Sequence, residues 1–294
     1  MSQKSSSQNG CITLYDNDNI INNNQEVCDI FNKHFVSVAN DIGQSDPLSE
    51  NETMADIVHS FENHPSITAI KEQMSRSGKH DFHFVKVNCD YVTDLIKRLN
   101  PKKSTGSDAL PPRLVRLSSN YISSTITNIV NQSLETGIFP DSLKEAEVSP
   151  LFKKDDNMDK LNFRPVSILA CISKVFERVY NDQMIAFFEE MLSAFLSAFR
   201  KKYSCETVLI KMIEDWKYLL DKHKVIGAML IDLSKAFDCL PHKLLLAKLN
   251  AYGLDDAACS LIRSYLSQRK QIVKLGECRS SWLNIIKVYP RVLF

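Results

Sequence analysis

A mixed α/β fold of the α+β kind is predicted by three features of the sequence. Several segments repeat apolar residues every three or four positions, as Val27, Ile30, Phe31, Phe35 and Val38 do, which is the period of an amphipathic helix. Short apolar runs bounded by turn-forming or charged residues, such as Val148 to Phe152 and Pro165 to Leu169, have the length of strands. These strands are too scattered among the helical segments for regular βαβ winding. With 44% hydrophobic and 24% charged residues in a 294-residue chain, the composition is that of a globular protein with a sizeable core.

In chain order, residues 1–24 are rich in Ser, Asn and Asp and read as a flexible leader. A helix begins at Glu26 and ends near Gly43, and residues 44–80 are polar enough for loops and short helices. Phe82, Phe84 and Val87 predict a short strand, after which Asn88 caps a helix carrying Val92, Leu95, Ile96 and Leu99 on one face. Turn formers occupy PKKSTGSDALPP, and a helical region then runs from Leu114 to Glu135, closed by Gly137. The strands Val148–Phe152 and Pro165–Leu169 flank a charged turn. Ile172 to Phe188 and Glu206 to Leu220 are helical by period. Val225 to Asp232 is apolar until its last residue and reads as a buried strand. Pro241 and the pair Asp255–Asp256 mark two helix starts, and Gln271–Lys274 with Trp282–Lys287 predict a β-ribbon.

Several function classes are excluded by composition. No apolar run approaches the roughly 18 residues of a membrane-spanning helix, and the polar N-terminus lacks the apolar centre of a signal peptide. The eight cysteines form no C-x-x-C pair, which excludes a zinc ribbon or redox dithiol and suits a reducing interior, in cytoplasm or nucleus. Residues 1–100 hold 8 Lys and Arg against 14 Asp and Glu, whereas residues 101–294 hold 28 against 21. An acidic leader before a basic body points to a polyanionic partner, although an unevenly charged solvated surface has the same appearance.

Asp232 is the informative position. A carboxylate at the end of a rigid buried strand is a way to fix a hard cation such as Mg²⁺, and an Asp there equally serves to cap the next turn. The segment Ile231–Asp232–Leu233–Ser234–Lys235–Ala236–Phe237–Asp238 resembles the first catalytic motif of reverse transcriptases from non-LTR retrotransposons of the jockey and chicken-repeat type. Six further segments resemble that family in its own order. Lys103 to Asp108 resembles its opening block. Phe139–Pro140, Leu151 to Asp155 and Asn162 to Ser167 resemble its fingers hairpin. Phe199 to Ser204 resembles its template-side block, and Ser264 to Arg269 the segment after the palm helices.

The resemblance, covering about residues 26–287, implies right-hand polymerase fingers plus a partial palm. It divides the chain into a leader (1–25), an N-terminal helical extension (26–100), fingers (101–224) and a partial palm (225–294). It implies two-metal nucleotide addition with Mg²⁺, in which Asp232 and the carbonyl of Leu233 are metal ligands. Phe237 then matches the steric gate that excludes a 2′-hydroxyl. Lys153 and Arg164 match the fingers cations on the triphosphate, with Lys154 a neighbour, although a Lys-Lys-Asp-Asp turn by itself is a solvated hairpin tip. Arg200, Lys201 and Lys202 match the template path, but the family's glycines beside them are replaced by Ala198, Lys202 and Tyr203. The implied partners are an RNA template, a DNA primer and deoxynucleoside triphosphates, with no membrane.

Two departures from the family pattern predict an inactive fragment. No aromatic-x-Asp-Asp block follows residue 232, since Tyr252–Gly253–Leu254–Asp255–Asp256 has one residue too many and falls where the family has a helix–helix turn. Where the family reads Gly-Val-Pro-Gln-Gly-Ser-Val-Leu, this chain reads Val288–Tyr289–Pro290–Arg291–Val292–Leu293–Phe294. A one-base deletion in one codon string for that loop translates to those seven residues, which predicts a frameshift within the nucleotide-binding loop. A non-catalytic nucleic-acid-binding remnant of the same element is the alternative reading.

Overall fold

The computed structural model describes residues 12–16, 19–37, 48–49, 51–78, 81–193, 195–198, 200–232 and 240–285. Among them the chain forms ten α-helices, a two-stranded ribbon and a five-stranded mixed sheet, so the predicted mixed α/β class holds. It divides into two compact units, residues 1–180 with 236–294, and residues 181–235.

The first unit is built on strands β3 (Glu145–Phe152), β4 (Phe163–Leu169), β5 (Arg269–Leu275), β6 (Cys278–Arg279) and β7 (Leu283–Ile285). Their order is β4-β3-β5-β6, with β7 also on β5. The hairpin β3–β4 is antiparallel and pairs Ala146 with Leu169 through to Phe152 with Phe163. β3 and β5 are parallel, Glu145 pairing with Lys270 and Val148 with Val273. Helix α1 (Asn24–Ser37) packs Val27, Phe31 and Phe35 with Val148, Phe163 and Val273 of the sheet. Ahead of it, within the stretch read as a leader, β1 (Leu14–Asp16) and β2 (Asn19–Ile21) form the antiparallel ribbon, and Leu14 is fully buried in the same core.

A second core joins α4 (Cys89–Lys97), α5 (Pro112–Leu117), α6 (Ser119–Thr136) and the early part of α7 (Cys171–Phe188) with α10 (Asp256–Leu266). Its boundaries obey the predicted stop and start signals. Asn88 accepts a hydrogen bond from the Tyr91 N–H, and Gly137 closes α6 with φ 67°, a left-handed angle that glycine takes without steric cost. Asp255 caps α10 by accepting from Ala258 N at 2.7 Å, which settles the Tyr252–Asp256 segment as the turn between α9 (His242–Ala251) and α10. Phe82 makes a single bridge to Leu254 where a short strand was predicted. The short helices α2 (Met54–Ser60) and α3 (Pro65–Ser77) fill the predicted polar region.

The second unit contains the end of α7 and helix α8 (Cys205–Asp221), for which Ser204 and Thr207 form a reciprocal capping box. Its other prediction fails. Residues 224–232 belong to no strand, and Val225 is 98% and Leu230 92% exposed where a buried palm strand was expected. An apolar run becomes a strand only when another strand satisfies its N–H and C=O groups, so strand propensity without a ladder partner fixes nothing. Among the described residues, no strand pairs with this one.

Candidate nucleotide-binding hairpin and template-side loop

Two positively charged side chains share one face of the β3–β4 hairpin. Strand alternation sets this arrangement: Leu151 lies opposite Arg164, and Lys153, two residues beyond Leu151, projects to the same side. The ladder continues one step past the strands, since Lys153 N donates to Asn162 O at 2.9 Å. Lys153 and Arg164 are therefore diagonal neighbours, roughly 7–8 Å apart along the backbone. Both are exposed, while the opposite face turns Phe163 into the core against Phe31, ring centroids 4.8 Å apart. Pro150 and Pro165 face each other across the ladder, and Pro165 on the outer strand β4 lacks the N–H that would invite a further strand.

The tip between these strands is held by its own polar groups. Met158 N donates to Asp156 Oδ1 at 2.9 Å, Leu161 N to Asp159 Oδ1 at 2.8 Å, and Asn162 Nδ2 to the Asp156 carbonyl at 3.0 Å. Lys154 faces its neighbour Asp155 at 3.7 Å with both side chains exposed, a contact worth little in water.

Arg200, Lys201 and Lys202 lie in the second unit. Arg200 is turned inward, its side chain only 12% exposed. Its Nη2 donates to Glu189 Oε1 at 2.9 Å, its Nη1 to the carbonyls of Ser193 and Leu196, and its plane lies over the Tyr203 ring at 4.8 Å. A guanidinium with this many protein partners staples the loop. The hydrogen bond to Glu189 accordingly pushes its pKa upward. Sequence reasoning missed Glu189 because it lies eleven positions earlier, outside any short motif. Lys201 and Lys202 remain exposed.

Lys202 has φ 69°, the left-handed region, at one of the positions where the family writes glycine. A side chain there costs about 1 kcal/mol. Lys202→Gly is expected to stabilise the second unit by about 0.5–1 kcal/mol, seen as slower amide exchange over residues 200–206. Unchanged or faster exchange would show that the turn bears no such strain.

Asp232, the predicted metal ligand, ends the exposed unpaired segment described above. Leu233 and Phe237 lie outside the described residues. Asp232 is exposed, and among the described residues no three His, Cys, Asp or Glu side chains come together.

The mixed sheet with its antiparallel hairpin is consistent with the fingers and palm of a nucleotide polymerase, and the comparisons with known proteins point the same way. Residues 152–290 match the reverse transcriptase (RNA-dependent DNA polymerase) family. The chain is 29% identical over 199 residues to the RNA-directed DNA polymerase from mobile element jockey of Drosophila funebris, covering 66% of this chain and 22% of that protein. It is 22% identical over 224 residues to the probable RNA-directed DNA polymerase from transposon X-element of Drosophila melanogaster, covering 75% and 25%. The chain is thus a relative of the reverse transcriptases of jockey-type and X-element non-LTR retrotransposons, and spans about a quarter or less of their length. That family implies a divalent metal, a nucleic-acid template and primer, and deoxynucleoside triphosphates. No helix of the described residues is long and apolar enough to cross a membrane.

Proposed function

We propose that this chain supplies the fingers (residues 101–224) and the leading part of the palm (225–294) of an RNA-directed DNA polymerase working inside the cell, in cytoplasm or nucleus. Lys153 and Arg164 grip the triphosphate of the incoming nucleotide, and Lys201 with Lys202 meet the RNA template. Asp232 and the Leu233 carbonyl are the metal ligands, and Phe237 the gate against a 2′-hydroxyl, on the strength of the motif they share with the family. The observation that carries the reading is the pair of exposed cations on one face of a rigid hairpin. An Arg fork and a Lys point charge suit phosphate oxygens.

The 294 residues alone are expected to bind nucleic acid and nucleotide without extending a primer. A two-metal reaction needs carboxylates converging from rigid supports, and the Asp232 backbone is exposed and unladdered. Primer extension on an RNA template with Mg²⁺ tests this, with no incorporation expected. Incorporation that disappears in Asp232→Ala would overturn it. Lys153→Ala and Arg164→Ala are each expected to weaken deoxynucleoside triphosphate binding about tenfold, measured by titration. Affinity unchanged in both would remove the hairpin from the site. RNA binding is expected to weaken steeply with added salt, because phosphate contacts release counterions.

A further inference from the structure

The hairpin tip is held from outside by the N-terminal ribbon. Leu14 anchors β1 in the core that also holds Val148 of β3 and Phe163 of β4. The two positions after it then reach the tip. Tyr15 N donates to the Met158 carbonyl at 2.8 Å, and Asp16 Oδ1 accepts from Lys160 Nζ at 2.7 Å. The ion pair is about two-thirds buried on each side, so solvent screens it less than a surface contact. A backbone bond and a charged bond at adjacent residues grip the tip at Met158 and Lys160. Those two points sit between Lys153 on one strand and Arg164 on the other.

We infer that the ribbon is a positioning strap: Asp16, through Lys160, and the Tyr15 N–H, through Met158, fix the tip so that Lys153 and Arg164 are presented together. Asp16 touches no nucleotide itself. A hairpin tip with only its internal bonds samples many arrangements, and any loss of order lowers the fraction competent to bind. This deepens the proposed function, because it assigns triphosphate affinity to residues far from the hairpin in sequence.

The experiment compares the full chain with Asp16→Ala, Lys160→Met and the charge swap Asp16→Lys/Lys160→Asp. Two readouts are taken: mass-identified tryptic cleavage after Lys153 and Lys154 under native conditions, and dGTP binding by titration. Each single variant is expected to speed cleavage and to weaken dGTP binding about fivefold, with the melting transition unmoved. The swap should restore both, as expected for two charges that act through each other. Cleavage and affinity unchanged in both single variants would overturn the strap, as would a swap no better than either single change. Faster cleavage in the single variants of a chain that never binds dGTP would instead keep the strap and overturn the nucleotide reading.

Discussion

Gly106→Ala is expected to destabilise the first unit by about 3 kcal/mol and to lower its melting temperature by roughly 6–12 °C. Gly106 lies in the Lys103–Asp108 block, in a loop held against the junction between β4 and α7. A Cβ added there would sit 2.7 Å from the Ala170 nitrogen and from the carbonyl carbon and oxygen of Leu169. All three are backbone atoms at the end of a paired strand, and no side-chain rotation relieves the clash. The loop or the strand end must move, which disturbs the hydrogen bond from Ala109 N to the Gly106 carbonyl and the register at Leu169. Gly276 provides the control, with φ 59° and open space around its virtual Cβ. Gly276→Ala meets backbone strain alone, about 1 kcal/mol. Thermal melts of the two variants separate the effects, and a Gly106→Ala protein at least as stable as Gly276→Ala would refute the close approach.

Gly106 also illustrates how far the sequence could be read. Its place in a turn-rich block is visible locally, but the reason for glycine is a backbone more than sixty positions away. Helices α4, α6, α7 and α8 were legible because period and caps lie within one segment: Asn88, Gly137 and Asp255 act on neighbours three or four residues distant. The β3–β4 hairpin was legible for the same reason. The parallel pairing of β3 with β5 was not, since it joins residues more than a hundred positions apart. Val225 to Asp232 shows the converse: its strand-like pattern had no local contradiction, and the outcome was decided by whether a ladder partner lies beside it. The ribbon at residues 14–21 was hidden by its polar surroundings, although Leu14, Ile20 and Ile21 were its signal. Of the candidate site, the sequence named Lys153 and Arg164 but not the face they share, which follows from the β3–β4 register, and Arg200 shows that a basic tripeptide does not disclose which of its members turns inward.

Arg269→Ala is expected to cost about 3–4 kcal/mol, more than loss of an exposed arginine. In the sequence Ser-Gln-Arg-Lys this residue looks solvated, yet it is 1% exposed at the start of β5. Its Nη1 donates to the Tyr265 carbonyl at 2.9 Å and its plane lies 4.9 Å from the Tyr265 ring centre. Tyr265 in turn donates through its hydroxyl to Glu177 Oε1 at 3.1 Å, and Ser173 donates to the same oxygen at 3.3 Å. Burial is the larger influence at both charged ends. It raises the Glu177 carboxyl pKa despite the nearby guanidinium, and it lowers that of Arg269. Truncating Arg269 leaves a cavity and removes the positive charge that partly offsets the Glu177 desolvation.

The two effects are separable by pH. A carboxyl with a raised folded pKa binds its proton more tightly when folded, so this group favours the folded state fully at low pH. That contribution declines as pH rises from the ordinary carboxyl value of 4.5 to the folded value, and is flat beyond it. Glu177→Gln removes that decline, so its stability relative to the parent should improve as pH rises through this window. Arg269→Ala should extend the decline to higher pH, because the largest influence that lowers the Glu177 pKa against burial is then lost, leaving the Tyr265 and Ser173 hydrogen bonds. Urea unfolding at several pH values, read as differences from the parent, checks both signs. Parallel stability–pH curves for parent and Glu177→Gln would show that Glu177 does not titrate abnormally. The expected pattern makes the Arg269–Glu177 group a buried charged pair in which arginine supplies volume and offsets a carboxylate that burial disfavours.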